Sequence, residues 1–311
     1  MKWVTEVNVP KYTFDVNHRQ KQVFLGSCFA THISSKFSYF GFNQVYNPFG
    51  VLFSPIACAN LISSALSEKP LSEKHFVKRD DHFFSLDAHS EIFGSTTAAL
   101  QKRLDDASQK LRTALLEADV LFLTLGTAFV YRYLRTGEFV ANCQKVPANQ
   151  FEKVLLTADE ITNDLQASFD LLRQYNPKIK IVLTVSPVRH TRDGLIENQR
   201  SKAQLLLATD KLSNKETVVY FPSYEIMTDE LRDYRFYESD LIHPNQIAVE
   251  YIWNILVKSF FSLETQKICD RIGKYRSFSL HKSNRNTDKQ NLKAEEIKTA
   301  LLLDFPFITI S

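Results

Sequence analysis

The stretch FLGSCFA, residues 24–30, decides how the chain is read. The apolar run KQVFL (21–25) has the profile of a short strand, and the run stops at Gly26. A hydroxyl and a thiol, Ser27 and Cys28, follow side by side. Beyond them Ile33, Phe37 and Phe40 fall at i, i+4 and i+7, the spacing of a helix with one buried face. Strand, glycine turn and helix form the opening of a βαβ unit. Two side chains able to act as nucleophiles therefore stand where a parallel sheet hands over to a helix.

The same alternation continues along the chain. FNQVY (42–46), DVLFLTLG (119–126), KIKIVLTVSP (178–187) and ETVVYFPS (216–223) are further strands, and continuous apolar runs such as VLFL belong to strands buried on both faces. Helices are predicted from Pro55 to Leu66, from about Thr96 to Glu117, and over 197–213. Another runs from the capping box of Thr157 and Glu160 to Tyr175, and a last strong one starts at Pro244. HFVKRDDHFFSL within 73–94 and VYRYLRTGEFVANC (130–143), turning at Thr136-Gly137, read as small hairpins. The expectation is an α/β three-layer sandwich of flavodoxin-like type with a five-stranded parallel sheet in the order 2-1-3-4-5. One main domain spans 1–263, and the weakly patterned 264–311 is expected to pack on it as an extension. Such folds bind ligands in the crevice where strand order reverses, between strands 1 and 3. Gly26-Ser27-Cys28 ends the first of these strands and Gly126-Thr127 the other.

Composition narrows the function classes. The 311 residues are 44% hydrophobic, 23% charged and 12% aromatic, as in a globular protein whose 24 Phe fill much of the core. A net charge of +3 falls short of a nucleic-acid footprint, and much of the excess lies in HKSNRNTDKQNLK (281–293), read as a solvated loop. The N-terminus has no apolar core of a signal peptide, and no run reaches the ~18–20 apolar residues of a membrane span. A cytoplasmic location is the resulting expectation. Cys28, Cys58, Cys143 and Cys269 are scattered without a C-x-x-C pair, so reduced thiols are expected rather than disulfides or a zinc cluster. No G-x-G-x-x-G follows a strand, and neither His190 nor His243 has ligand-spaced partners. No cofactor and no metal are expected.

Cys28 is the first candidate for chemistry. A thiol at the start of a helix lies near unpaired N–H groups that favour an anion and can lower its pKa from ~8.5 to 3.5–7.5. The alternative is a buried cysteine packed as a small hydrophobe. YESDLIHPNQ (237–246) supplies a candidate companion. Asp240 precedes His243 by three residues, and Pro244 keeps His243 out of helical geometry. A short turn lets the carboxylate hold Nδ1–H and leaves Nε2 free as a base, the base-and-orienter pair of a triad. The same pattern also arises in an ordinary polar loop with an Asp-capped turn. Glycine use sharpens the picture, because Gly26, Gly50 and Gly126, three of only eight, end the first three strands.

Cys28 after Gly26-Ser27, a post-strand Gly50 and the late D-x-x-H resemble the blocks of the SGNH/GDSL hydrolase superfamily. More closely, LGSCFA, NPFG, LTLGTAFVYR, VANCQKVP, TVSPVRHTRDGLIENQRSKAQL and YFPSYEIMTDELRDYRFYESDLIHPNQIAVEYIW, between about residues 20 and 260, look like the GSCFA family. Its members are typically bacterial, many from the Bacteroidetes. The resemblance implies Cys28 as nucleophile in place of the superfamily serine, with Ser27 where that pattern has an Asp. It implies His243 as general base and Asp240 as its orienting acid, with Ser27 as the alternative nucleophile. The N–H groups of Cys28 and Gly50 are implied as oxyanion donors, and Gly126 and Thr127 are expected to line the same hole. The third block departs from G-x-N-D, since Thr127, Ala128 and Phe129 follow Gly126. Thr127 or Asn142 is left to replace the missing Asn.

Ser186, Arg189, His190, Glu197, Asn198 and Lys202 are further polar residues in these blocks. Arg189 and His190 follow strand 4 and are expected at the same mouth, binding an anionic or sugar-like group. The alternative for Arg189 is a salt bridge to Glu197. The function expected from the whole is an SGNH-like esterase or acyl-esterase acting on a small-molecule or carbohydrate-linked O-acyl ester. An O-acyltransferase, or a degenerate fold binding a glycan or protein, competes with it.

Overall fold

The computed structural model describes residues 4–280 and 288–310. In chain order they form β1 (Lys21–Gly26), α1 (Cys28–Tyr39), β2 (Asn43–Tyr46), α2 (Pro55–Leu66), β3 (Phe76–Arg79), β4 (His82–Ser85), β5 (Phe93–Gly94) and α3 (Thr97–Glu117). Next come β6 (Val120–Leu125), β7 (Phe129–Tyr133), β8 (Glu138–Val140), β9 (Phe151–Leu155), α4 (Ala158–Tyr175), β10 (Lys180–Val185) and α5 (Leu195–Leu212). The chain ends with β11 (Val218–Tyr220), the one-turn α6 (Ser223–Glu225), α7 (Gln246–Phe260), α8 (Leu263–Leu280) and α9 (Asp288–Asp304).

The main sheet is parallel throughout, in the order β11-β10-β6-β1-β2. Counted along its own strands, this is the order 2-1-3-4-5 expected of the fold. The two-residue period of the strands divides the core. Leu121, Leu123 and Leu125 of β6 join Leu61, Leu111, Phe169 and Leu205 on the face covered by α2, α3, α4 and α5. Val120 and Phe122 join Phe29, Phe37, Ile252 and Trp253 on the face covered by α1 and α7. Phe122 stacks on Phe24 with ring centroids 4.7 Å apart, and Phe37 meets Phe24 edge-on at 4.9 Å. Such pairs add about 0.5–1.5 kcal/mol each beyond their area. On this second face the apolar series turns polar toward the carboxyl end, at Thr124 and Thr184.

Local signals explain most of the helix starts. Pro55 follows the N-cap Ser54, and Thr157 and Glu160 form both halves of the capping box. The start of α7 differs from the expectation. Pro244 pairs with Tyr237 in a β-bridge, and Asn245 is the cap, its Oδ1 accepting from the Ala248 N–H at 3.1 Å. Pro244 thus lies outside the helix because an Asn side chain closes the first turn better than the preceding imino acid does. The hairpin over 73–94 gains a third strand, β5, and the one at Thr136-Gly137 gains β9. β9 escaped the sequence reading because FEKVL is only partly buried and carries two charges. Of the stretch 281–293 read as loop, residues 281–287 lie outside the described residues and the rest open α9. The C-terminal tail returns to the domain, with the Thr309 N–H donating to Gly41 O at 2.8 Å.

Candidate active site

Three strand ends meet at the carboxyl edge of the sheet: Gly26 on β1, Gly126 after β6 and Ser186 after β10. Gly26 has φ +122°, and a Cβ there would stand 2.0 Å from Thr124 O on the neighbouring strand. Only glycine fits. The turn is tied on every side. Gly26 N–H donates to Asn47 Oδ1 at 2.9 Å, Leu52 N–H to Gly26 O at 2.9 Å, and Ser27 N–H to Thr124 O at 3.1 Å.

Ser27 and Cys28 separate at this point. Ser27 is fully buried and caps α1, its Oγ accepting from the Phe29 N–H at 3.3 Å. Cys28 is the first residue of α1 and half-buried. The N–H groups of Cys28 and Phe29 reach its sulfur, and the Lys202 charge also favours the thiolate. Burial, the largest influence, outweighs them and holds the thiol above its usual pKa, with the Asp240 charge adding to that rise. The lowering expected from a helix start is therefore present but does not win.

Asp240 and His243 are both partly exposed and face each other across a tight turn. His243 Nδ1–H donates to Asp240 Oδ2 at 2.7 Å. The other carboxylate oxygen accepts from the N–H groups of Ile242 at 2.8 Å and His243 at 3.0 Å. The His243 side chain and these backbone donors hold the Asp240 carboxyl down at about 2. The carboxylate fixes the tautomer, so Nε2 is the ring nitrogen left to take a proton. The loop is closed by Glu238 N–H to His243 O at 2.7 Å and Asn245 N–H to Phe236 O at 2.9 Å.

Arg189 braces this loop from β10's side. Its guanidinium lies 4.1 Å from the Tyr237 ring centroid and 5.1 Å from that of Tyr234, and Nη1 donates to Leu241 O at 3.4 Å. Glu197 pairs with Arg200 at 2.5 Å, and the alternative bridge from Arg189 to Glu197 is not formed. The competition is geometric, because residues three apart on α5 meet on one helix face. His190 donates its backbone N–H to Asn198 Oδ1 at 2.9 Å and lies edge-on to Phe53. Burial, with Lys202 and His243 nearby, pushes its pKa down to about 4, so it is neutral at neutral pH. Its Nε2 is buried without a hydrogen-bond partner among the described residues.

The expected oxyanion donors are mostly occupied. Gly50 N–H donates to Asn47 O at 2.8 Å, and Phe53 O accepts from both Gly126 N–H at 2.8 Å and Thr127 N–H at 3.0 Å. Thr127 Oγ1 is engaged with Ser201 Oγ at 2.9 Å. Asn142 makes its contacts with the insertions, its N–H donating to Leu86 O and its Oδ1 accepting from Gln144. Turn closure has consumed these groups, because a buried loop must pair its own N–H donors. Of the expected set, the Cys28 N–H is directed at its own sulfur.

The sequence pattern of the GSCFA family matches residues 21–256, which spans every element from β1 into α7. The chain belongs to the GSCFA family. Among solved structures, this GSCFA protein is similar to a carbohydrate esterase family 3 protein from Talaromyces cellulolyticus, with a TM-score of 0.36 and 11% identity over 81% of this chain and 99% of that one. It is also similar to a mutant acetyl esterase crystallised with acetate ion, with a TM-score of 0.28 and 13% identity over 47% of this chain and 64% of that one. No curated protein is a detectable relative.

Two residues at the candidate site went unassigned on sequence grounds. Asn47, at φ +35°, locks Gly26 through its side chain and carries Gly50 on its carbonyl. Its signal was its place directly after β2, inside NPFG. Lys202 is fully buried on the inward stripe of α5 with Asn198, Ser201 and Leu205. A lysine at a core position of an amphipathic helix was a readable anomaly. Among the described residues no group of three or more His, Cys, Asp or Glu could hold a metal ion, and no helix is long and apolar enough to cross a membrane.

Proposed function

We propose that the protein is a hydrolase of SGNH type that uses a thiol on an O-acyl ester. The observation that carries this reading is the carboxylate-oriented imidazole, Asp240–His243 at 2.7 Å, in the electrostatic neighbourhood of Cys28. In the reaction the Cys28 sulfur attacks the acyl carbon as His243 Nε2 takes the thiol proton. The C–S bond forms, the ester C–O bond breaks, and the imidazolium returns its proton to the leaving alcohol. His243 then deprotonates a water that attacks the thioester, releasing the carboxylic acid and restoring the thiol. Asp240 stabilises the imidazolium in both halves. The Cys28 N–H serves as an oxyanion donor. The substrate class proposed is a small-molecule or carbohydrate-linked O-acyl ester, and transfer to another hydroxyl would need only a different acceptor in the second half.

Hydrolysis of 4-nitrophenyl acetate and of acetylated xylo-oligosaccharides tests the reading. Cys28→Ala is expected to abolish turnover. Ser27→Ala is expected to retain a measurable part of it while losing about 1 kcal/mol of stability with the helix cap. One observation favours a second reading, a binding module without catalysis: the N–H groups of Gly50, Gly126 and Thr127 are all committed elsewhere. Equal, low turnover in folded wild type and Cys28→Ala would select it.

A further inference from the structure

The two β insertions are joined to each other as well as to the main sheet. Leu86 O accepts from the N–H groups of Ala141 and Asn142, each at 2.9 Å. Gln144 Nε2 donates to Ser85 O at 2.9 Å and to Ala88 O at 2.8 Å. At the other end the joint is an imidazole. His75, 3% exposed, stands just before β3, with Nδ1 2.8 Å from Asp87 Oδ2 of the first insertion. Its Nε2 reaches the second insertion, 3.1 Å from Thr136 Oγ1 and 3.0 Å from Glu138 Oε2. A groove of about 630 Å³ runs between the insertions and α2, and His75, Asp87 and Glu138 all line it.

These contacts suit the two charge states of the ring differently. With both nitrogens protonated, each N–H meets a carboxylate, one from each insertion. When one proton leaves, it is the one on Nε2. The Asp87 side chain is 18% exposed and both its oxygens lie within 2.9 Å of Nδ1, whereas Glu138 is 63% exposed and has water as an alternative partner. A bare Nε2 lone pair shares no proton with a carboxylate oxygen, so Glu138 then turns to water. Thr136 stays, because a hydroxyl that accepts from Nε2–H can rotate and donate to the lone pair. Neither state leaves a ring nitrogen buried without a partner.

The other groups facing the ring are few. Arg135, on the same turn as Thr136, donates from Nη2 to Lys74 O at 3.0 Å, and the Tyr133 ring lies edge-on at 6.3 Å. Lys69 and, from α4, Asp164 face it across the groove. Burial and the Arg135 charge disfavour the imidazolium, but the hydrogen bond to Asp87 and the charges of Asp87 and Glu138 prevail. We propose that His75 is a pH-operated latch between the two insertions, closed on Glu138 as the imidazolium and released from it as the neutral ring. Neither Cys28 nor His243 takes part, so the latch stands or falls independently of the esterase chemistry.

The test follows the His75 ring against pH by NMR of isotope-labelled protein, together with the backbone N–H signals of Thr136, Gly137 and Glu138. In the wild type, ring and N–H signals should move together with one midpoint above 6.5. Glu138→Gln removes a carboxylate that favours the imidazolium. The midpoint should fall, with the ring holding its proton roughly twofold to fivefold more weakly. Thr136→Val removes the hydroxyl that serves the neutral ring while Glu138 still serves the imidazolium, so the midpoint should rise. A ring that titrates while the signals of 136–138 stay still would leave an ordinary ion pair and overturn the proposal. So would a midpoint indifferent to Glu138→Gln, or a ring whose charge does not change between about pH 5 and 9. The first arm uses the wild-type protein alone, and it decides even where a variant fails to fold.

Discussion

The Gly26–Cys28 turn and the Glu238–Asn245 loop carry the two halves of the proposed site, and they are built in opposite ways. The turn is buried, closed by bonds to Thr124, Asn47 and Leu52, and tolerates no side chain at Gly26. The loop is exposed, held by its own short turns, by Asn245 and by the aromatic brace on Arg189. A nucleophile gains from a fixed position against the sheet, while a base that must accept and return protons gains from contact with water. The buried half also bears the cost of burial, since Cys28 is held protonated by desolvation that its N–H donors do not overcome.

This contrast predicts where damage falls. Gly26→Ala should give the largest effect, because the φ of +122° is closed to alanine and its Cβ would strike Thr124 O. A loss of more than about 3 kcal/mol, read by urea unfolding, is expected. A near-native midpoint would show that the turn is looser than its bonds imply. Asp240→Asn should leave folding intact and lower esterase turnover roughly 10²–10⁴-fold, since the imidazolium loses its partner. The Asp240 carboxyl titrates at about 2 instead of 3.8, so its contribution is complete above 3.8 and fades only as pH falls toward 2. Any acid limb of the rate near neutrality must then belong to another group. Arg189→Ala should cost turnover roughly tenfold to hundredfold with a small change in melting temperature, because its contacts with Tyr237 and Leu241 brace the loop that carries His243.

The smallest effect belongs to neither half. His75 is buried between the two insertions, with Nδ1 on Asp87 at 2.8 Å and Nε2 facing Glu138 at 3.0 Å. Burial lowers its pKa, but the hydrogen bond to Asp87 and the charges of Asp87 and Glu138 outweigh it and leave the value above the usual 6.5. A raised folded pKa means stability that is present below 6.5 and lost as pH rises through the folded value. The melting-temperature gap between wild type and His75→Asn should shrink across that range while turnover is unaffected. A gap that widens with pH would reverse the sign of the assignment.

Much of the sheet was legible because its signals are local. The strand at 119–126 was read from four consecutive apolar residues, and α4 from its capping box. β9 was not, since its charged residues hide a strand that exists only by pairing with β7. At the site, the D-x-x-H spacing sufficed to place Asp240 on His243, because three residues and a proline leave few conformations. The fates of Gly50, Gly126 and Thr127 were illegible for the converse reason. Whether an N–H faces substrate or a carbonyl across a loop depends on Asn47 O and Phe53 O, which no spacing reports. The burial of Lys202 had a signal in its helix register, but its partners are strand ends 76 and 16 residues away in sequence.

The role of Cys28 is probed most directly by mixing the protein briefly with 4-nitrophenyl acetate at neutral pH, quenching in acid and mapping acetylated peptides by mass spectrometry. An acetyl group is predicted on Cys28, formed far more slowly in His243→Ala and never on Ser27. An acetyl group on another residue, or turnover undiminished in Cys28→Ala, would contradict a thiol nucleophile served by His243.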